Sequence, residues 1–247
     1  MRKGLNLELL SAKKQYLTPD HIKQYVKTAC SHFSHLNDSC NSKYGKMVSN
    51  KSLQGDQAMD ELRQKVIDEG RALNNDILKV DSFINNQVDP ILMMHIGEDI
   101  AEHYKDMGIT KVAAIETSGI APAIMTASAL SVPMVIIKKH ANKLVSGGLL
   151  QTEITSFTTG DTFELTVSPK FLKKDDHVLI IDDILANGEA MVGVIRLIRL
   201  AHATVAGSAV LIEKAFQPGR RKLEESGVEV YSLTKIISMK KGHIEVE

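Results

Sequence analysis

The run from His177 to Gly193, HVLIIDDILANGEAMVG, limits what this chain can fold into more than any other stretch. Val178 to Ile181 are four consecutive apolar β-formers, the pattern of a strand buried on both faces, and such strands belong to parallel sheets covered by helices. Asp182 and Asp183 follow at once. A turn of small residues comes next, and then Met191, Val194, Ile195, Leu197 and Ile198 recur at helical spacing. The order is strand, acidic pair, small-residue loop, helix.

Each part has a chemical use. Ala186, Asn187 and Gly188 lack bulk, so their backbone N–H groups can approach an anion closely, and the helix beginning near Glu189 aims its positive dipole end at the same spot. Carboxylates beside a phosphate site repel the phosphate unless they bind hydroxyls or a divalent cation. A sugar phosphate with free vicinal hydroxyls satisfies both parts. The plainer alternative is that Asp182 and Asp183 end a strand and cap a helix. The stretch is neither a Walker A loop, lacking Gly-Lys-Ser/Thr, nor a Gly-x-Gly-x-x-Gly dinucleotide turn.

A chain of 247 residues can bury a sizeable core, and one domain with appendages is expected. Its formal net charge of zero is unevenly spread: residues 1–58 hold nine Lys/Arg against four Asp/Glu, and residues 59–247 hold 21 against 26. Both cysteines, Cys30 and Cys40, fall in the basic part, so neither a disulfide framework nor a zinc module is expected and a reducing cytoplasm suits the chain. Thr117 to Ile137 carries no charge and is long enough to span a bilayer, but Gly119, Pro122 and Pro133 break it into loop, short helix and buried strand.

Residues 1–58 read as a basic, disordered extension: Tyr16 to Phe33 has some helical periodicity, but Asn37 to Gln57 is almost free of apolar residues. From Met59 the pattern changes. A helix with Leu62, Val66 and Ile67 on one face precedes a strand at Ile77–Val80. Asp89-Pro90 then caps a helix carrying Ile91, Met94, Ile100, Ala101 and Tyr104. Strand Val112–Ile115 ends in Glu116-Thr-Ser-Gly-Ile-Ala-Pro, where Thr117, Ser118 and Gly119 offer hydroxyl and backbone donors at a helix mouth. Pro133–Ile137 is a further strand. It ends in Lys138 and Lys139, where strand C-termini of open α/β sheets collect ligands. Leu149–Thr158 and Thr162–Val167 alternate with period two around Thr159-Gly160-Asp161, a hairpin placed to act as a lid. Strand Val205–Ile212 delivers Glu213-Lys214-Ala-Phe-Gln-Pro-Gly-Arg, a charged helix covers Arg220–Gly227, and Val228–Ile237 and His243–Glu247 close the sheet. The whole reads as α/β, an open, mostly parallel twisted sheet with helices on both faces.

The stretch 177–193 resembles the phosphoribosyl-diphosphate (PRPP) motif of type I phosphoribosyltransferases. With the Leu-Lys-Val-Asp-Ser-Phe, Thr-Ser-Gly-Ile-Ala-Pro and Phe-Gln-Pro-Gly-Arg segments, the chain from Met59 to about Ile237 resembles the bacterial xanthine phosphoribosyltransferases, a family of cytoplasmic, homodimeric purine-salvage enzymes. The resemblance implies the type I fold with a flexible hairpin and a small hood built from N- and C-terminal parts. It also implies that PRPP is bound at Ala186, Asn187, Gly188, Glu189 and Ala190, and xanthine at Leu78, Asn85 and Lys214. Mg²⁺ is expected to enter with PRPP, with no protein metal ligand assigned. Residues 1–58 have no counterpart in that family.

The expected chemistry is displacement at the anomeric carbon by a purine nitrogen. Asp182 and Asp183 hold the ribose, while Thr117, Ser118, Gly119 and Lys138 or Lys139 meet the departing diphosphate. Xanthine carries an extra C2 carbonyl, for which Asn85 and Lys214 are candidate donors. Phe216 is open to two readings, base stacking or core. Guanine or hypoxanthine remains an alternative base, and a PRPP-responsive purine repressor an alternative function that would employ the basic residues 1–58. Neither a membrane nor a nucleic-acid partner is expected.

Overall fold

The computed structural model describes residues 55–139, 148–155, 160 and 162–247. The expected helix at Tyr16–Phe33, the polar tract as far as residue 54, Cys30, Cys40, the loop after Lys139, and Thr159 and Asp161 of the hairpin turn lie outside the described residues. Five α-helices are described: α1 (Gly55–Glu69), α2 (Pro90–Tyr104), α3 (Ile120–Leu130), α4 (Glu189–Leu200) and α5 (Gly219–Glu225). The strands are β1 (Arg71–Ala72), β2 (Leu78–Lys79), β3 (Lys111–Ile115), β4 (Met134–Ile137), β5 (Leu150–Thr155), β6 (Thr162–Val167), β7 (His177–Leu185), β8 (Thr204–Lys214), β9 (Val230–Lys240) and β10 (His243–Val246).

The central sheet has the order β10-β9-β8-β7-β3-β4. All neighbours from β9 to β4 are parallel, and β10 alone is antiparallel, folding back on β9. Among the parallel strands the sheet grows outward from β3 to β4, then restarts on the other side of β3 with β7. The two central strands therefore flank the switch point, where open α/β sheets form their ligand crevice. β7 shows why its sequence is uninterruptedly apolar. Leu179 and Ile181 belong to a core with Leu92, Ile96 and Ala123 of α2 and α3, while Val178 and Ile180 belong to a second core with Val194 and Ile198 of α4.

The helices differ in detail from the sequence expectation. α1 starts at Gly55, ahead of Met59, and buries Leu62 and Val66 while Ile67 stays 47% exposed. One residue further round a helix is a rotation of about 100°, enough to carry Ile67 off the stripe that positions four apart share. α2 is capped as expected: the Asp89 carboxylate accepts from the N–H groups of Ile91 and Leu92 at 3.1 and 3.2 Å. Its buried face, however, is Leu92, Met93, Ile96, Ile100, Ala101 and Tyr104; Ile91 is exposed and Met94 half-buried. The uncharged run from Thr117 divides into loop, α3 and β4 as expected, and no described helix is long and apolar enough to cross a membrane.

The N- and C-terminal parts build one small unit beside the sheet. The expected strand Ile77–Val80 shrinks to β2, paired antiparallel with β1, and a five-residue π turn, Asp81–Asn85, follows with Phe83 and Ile84 buried. Gly242, between β9 and β10, donates its N–H to the Ala72 carbonyl at 2.9 Å. Arg63 of α1 donates to the Glu247 carbonyl at 2.7 Å.

β5 and β6 pair antiparallel, as their alternation predicts, but the stem of this hairpin is docked. Lys138 and Thr166 exchange backbone hydrogen bonds of 2.9 and 2.8 Å, tying β6 to the end of β4. Gly193 of α4 supplies the seat: a Cβ there would lie 2.8 Å from Ile154 and 2.9 Å from Leu165. The stem thus packs against α4 at a glycine, where any side chain would collide with it.

Candidate functional site

β7 runs to Leu185, so Asp182 and Asp183 lie within the strand and not beyond its end, as the sequence reading had it. Parallel pairing with β8 at Asp182↔Val210 and Ile184↔Ile212 carries the extension, which holds both carboxylates on rigid backbone at the C-terminal end of the central strand. The Asp183 N–H donates to Asp182 Oδ1 at 3.0 Å. Burial, followed by the neighbouring Asp183 charge, pushes the Asp182 carboxyl well above the usual aspartate range, against the pull of that N–H and of Lys139.

The loop Ala186–Gly188 then turns into α4. Gly188 adopts φ 84°, a left-handed conformation natural only to glycine, and no side chain caps the helix. The amides of its first turn are therefore left for an anion. Ile154 and Phe163 of the docked hairpin, Asp182, Asn187, Gly188 and Glu189 line a cleft of about 140 Å³ there. Glu189, pointing its charge into the same region, is paired with Lys222 of α5. Gly219 supports the loop from below: its N–H donates to the Ala186 carbonyl at 3.1 Å, and its Cα would meet a Cβ on Gly188 at 3.0 Å.

The second small-residue loop sits beside the first. Gly119 caps α3 without a side chain, and a Cβ on it would stand 3.1 Å from Asp182 Oδ1. Thr117 is exposed, Ser118 half-buried, and the Glu116–Thr117 peptide is cis. The two lysines after β4 separate in role. Lys138 pairs with Glu116 Oε2 at 2.9 Å, while Glu116 Oε1 accepts from the Lys139 N–H at 2.7 Å. Burial raises the Glu116 carboxyl, but these partners hold it below the usual range. Lys139 lies over the Phe163 ring, Nζ 5.9 Å from its centroid, and feels Asp182. Of the two, it is Lys139 whose charge acts on Asp182.

Lys214 ends β8 and is only 7% exposed. Its ammonium donates to the Asp76 carbonyl, two residues before Leu78, and burial lowers its pKa while Asp76 and Asp183 oppose that shift. Leu78 is buried in β2, and Asn85 is exposed at the end of the π turn. Gln217 donates to Asp76 Oδ1 at 3.3 Å, and its own Oε1 is buried without a partner. Phe216 is 42% exposed, which removes the core reading of that ring. Nothing in the sequence marks a role for Asp76 or Lys222, and Gln217 and Gly219 stand out only as members of the Phe-Gln-Pro-Gly-Arg segment. Pro-Gly at 218–219 was the one visible signal, since glycine after proline marks a turn that something approaches closely.

Two uncapped helix starts, an acidic pair between them and a buried lysine on the next strand can hold a ligand with two anionic ends and a polar middle. Among the described residues no group of three or more His, Cys, Asp or Glu side chains can hold a metal ion. That donor set fits Mg²⁺ only as an ion that brings phosphate oxygens and water as its own ligands.

An open sheet of order 2-1-3-4-5 with an anion loop after each of its two central strands defines a phosphoribosyltransferase-class site. The model of the phosphoribosyl transferase domain matches residues 86–247, and the chain belongs to this family. It is 54% identical over 187 residues to "Xanthine phosphoribosyltransferase" of Agathobacter rectalis, covering 76% of this chain and 97% of that one. It is 52% identical to "Xanthine phosphoribosyltransferase 1" of Clostridium botulinum, covering 76% and 98%. The crystal structure of APRTase from Giardia lamblia superposes with a TM-score of 0.60 at 20% identity, covering 74% of this chain and 98% of that one, which bears out the expected fold.

Proposed function

We propose that the chain transfers the 5-phosphoribosyl group of PRPP to xanthine, giving xanthosine 5′-phosphate (XMP) and diphosphate in purine salvage. The observation that carries this reading is the 54% identity to a xanthine phosphoribosyltransferase across 97% of that protein. The geometry fits the same chemistry.

The 5′-phosphate rests on the amides of Ala186–Ala190 at the start of α4, where the helix dipole and close backbone approach favour an anion. Asp182 and Asp183 accept from the ribose hydroxyls. The diphosphate lies toward Thr117–Gly119 and Lys139, whose donors stabilise the charge that develops as it leaves. No protein side chains among the described residues would hold Mg²⁺ by themselves, and the ion, if it enters with PRPP, would add to the neutralisation of the diphosphate that Thr117–Gly119 and Lys139 provide. Xanthine sits under the Leu78–Asn85 segment, with Lys214 donating to a ring carbonyl. A purine nitrogen attacks C1, the C1–oxygen bond to diphosphate breaks, and the ring proton passes to solvent. The residues contribute mainly by fixing C1 against the base.

The reading carries with it a homodimer in the cytoplasm and a catalytic domain that needs nothing from residues 1–54. Light scattering tests the first, and deletion of residues 1–54 tests the last. The same deletion extended to residue 58 shortens α1. The decisive assay incubates the protein with PRPP, Mg²⁺ and each purine in turn. XMP formation with xanthine is expected. Product with guanine or hypoxanthine only moves the base specificity, and duplex DNA binding with no product favours a repressor.

A further inference from the structure

The segment from Glu213 at the end of β8 to Arg220 in the first turn of α5 is closed at its ends by an ion pair; Glu213 directly precedes Lys214, the proposed base contact, and Arg220 directly follows Gly219, which supports the Ala186–Gly188 loop. Arg220 donates through Nε to Glu213 Oε1 at 2.8 Å and through Nη2 to Glu213 Oε2 at 2.6 Å, a two-pronged geometry that only arginine can make. The same Nη2 donates to Ser232 Oγ at 3.0 Å, Ser232 Oγ donates to Glu213 Oε2 at 2.6 Å, and Arg220 Nη1 donates to the Val230 carbonyl at 3.0 Å. Glu213 is 3% exposed and Ser232 8%. Burial raises the Glu213 carboxyl, but Arg220 and Ser232 hold it below the usual range.

From this placement we infer that Glu213, Arg220 and Ser232 are positioning residues that fix the base-binding Lys214 and the phosphate loop at a set separation. Lys214 follows Glu213 directly, and Gly219, which carries Ala186 and Gly188, directly precedes Arg220. Between them the Gln217 N–H donates to the Lys214 carbonyl at 2.9 Å, so the segment is braced within as well as at its ends. Loss of the closure leaves Lys214 and the Ala186–Gly188 loop each intact and lets their separation drift. Since C1 of the ribose must face the purine nitrogen, that drift is felt in the chemical step more than in the binding of either substrate alone. The inference rests on the functional reading above.

The test compares wild type with Glu213→Gln, Arg220→Gln, the double variant Glu213→Gln/Arg220→Gln, and Ser232→Ala. XMP formation is measured well below the lowest Tm of the set, per folded molecule by circular dichroism. The double variant leaves no lone buried charge and regains stability relative to either single variant. A positioning role predicts that kcat stays at least ~10-fold below wild type in the double variant, with the KM values for PRPP and xanthine changed far less. Ser232→Ala, which keeps the ion pair, lowers kcat about threefold and decides the matter if the charge variants fail to fold. A folded double variant, or in their absence Ser232→Ala, with wild-type kcat overturns the inference. Absence of XMP from the wild-type protein overturns the functional reading first, and the inference with it.

Discussion

Gly219 lies so close to Ala186 that a Cβ on it would come 2.3 Å from the Ala186 carbonyl oxygen, to which its own N–H donates at 3.1 Å. The loop Ala186–Gly188 is therefore set by a contact between two backbones, one of them at the start of α5.

Gly219→Ala follows from this relationship. Ala186 must move by more than a side-chain adjustment, so the loop amides lose their aim. The KM for PRPP is expected to rise by ~10-fold or more with the fold retained. Steady-state kinetics beside a circular-dichroism melt checks it, and an unchanged PRPP KM would show that the loop tolerates displacement.

Asp183→Asn is expected to stabilise the protein while nearly stopping turnover. The folded Asp182 carboxyl titrates above its unfolded value because of burial and the Asp183 charge. The folded state then keeps a proton the unfolded state has lost, so stability falls as pH rises from the ordinary aspartate range, about 3.9, through the raised one. Removing the Asp183 charge lowers the Asp182 pKa and flattens that fall. Tm measured against pH, with and without the substitution, gives the sign; an unchanged rate with xanthine would sink the ribose-binding assignment.

Lys214→Met separates base from PRPP. It leaves the Asp76 carbonyl without its donor and the base carbonyl without its own, so the xanthine KM should rise by about 10- to 100-fold while PRPP affinity by calorimetry holds. Because burial lowers the Lys214 pKa, one side-chain amine in a lysine NMR titration should lose its proton before the rest, and that signal should vanish in the variant.

Gly193→Val tests the docked hairpin. The added side chain collides with Ile154 and Leu165, a kind of overpacking that costs about 1–3 kcal/mol, and undocking the stem removes Ile154 and Phe163 from the cleft at the start of α4. A lowered Tm together with faster proteolysis within residues 150–167 is expected. Loss of stability without new cleavage there would mean that the strain is taken up by α4 instead.

What the sequence by itself determined is the part governed by local chemistry. The run of apolar residues from Val178, doubly buried on two cores, the Asp89-Pro90 cap, the glycine at the mouth of α4 and the period-two hairpin each follow from residue type and spacing. Only the tertiary structure decided how far β7 extends, because pairing with β8 keeps Asp182 and Asp183 in the strand although their side chains favour turns. It also decided that Lys138 is spent on Glu116 while the Lys139 charge acts on Asp182, that Asp76 accepts from both Lys214 and Gln217, and that Gly219 carries the loop Ala186–Gly188. These contacts join residues up to 141 positions apart, and no local pattern encodes a partner that only the crossing of the sheet brings near.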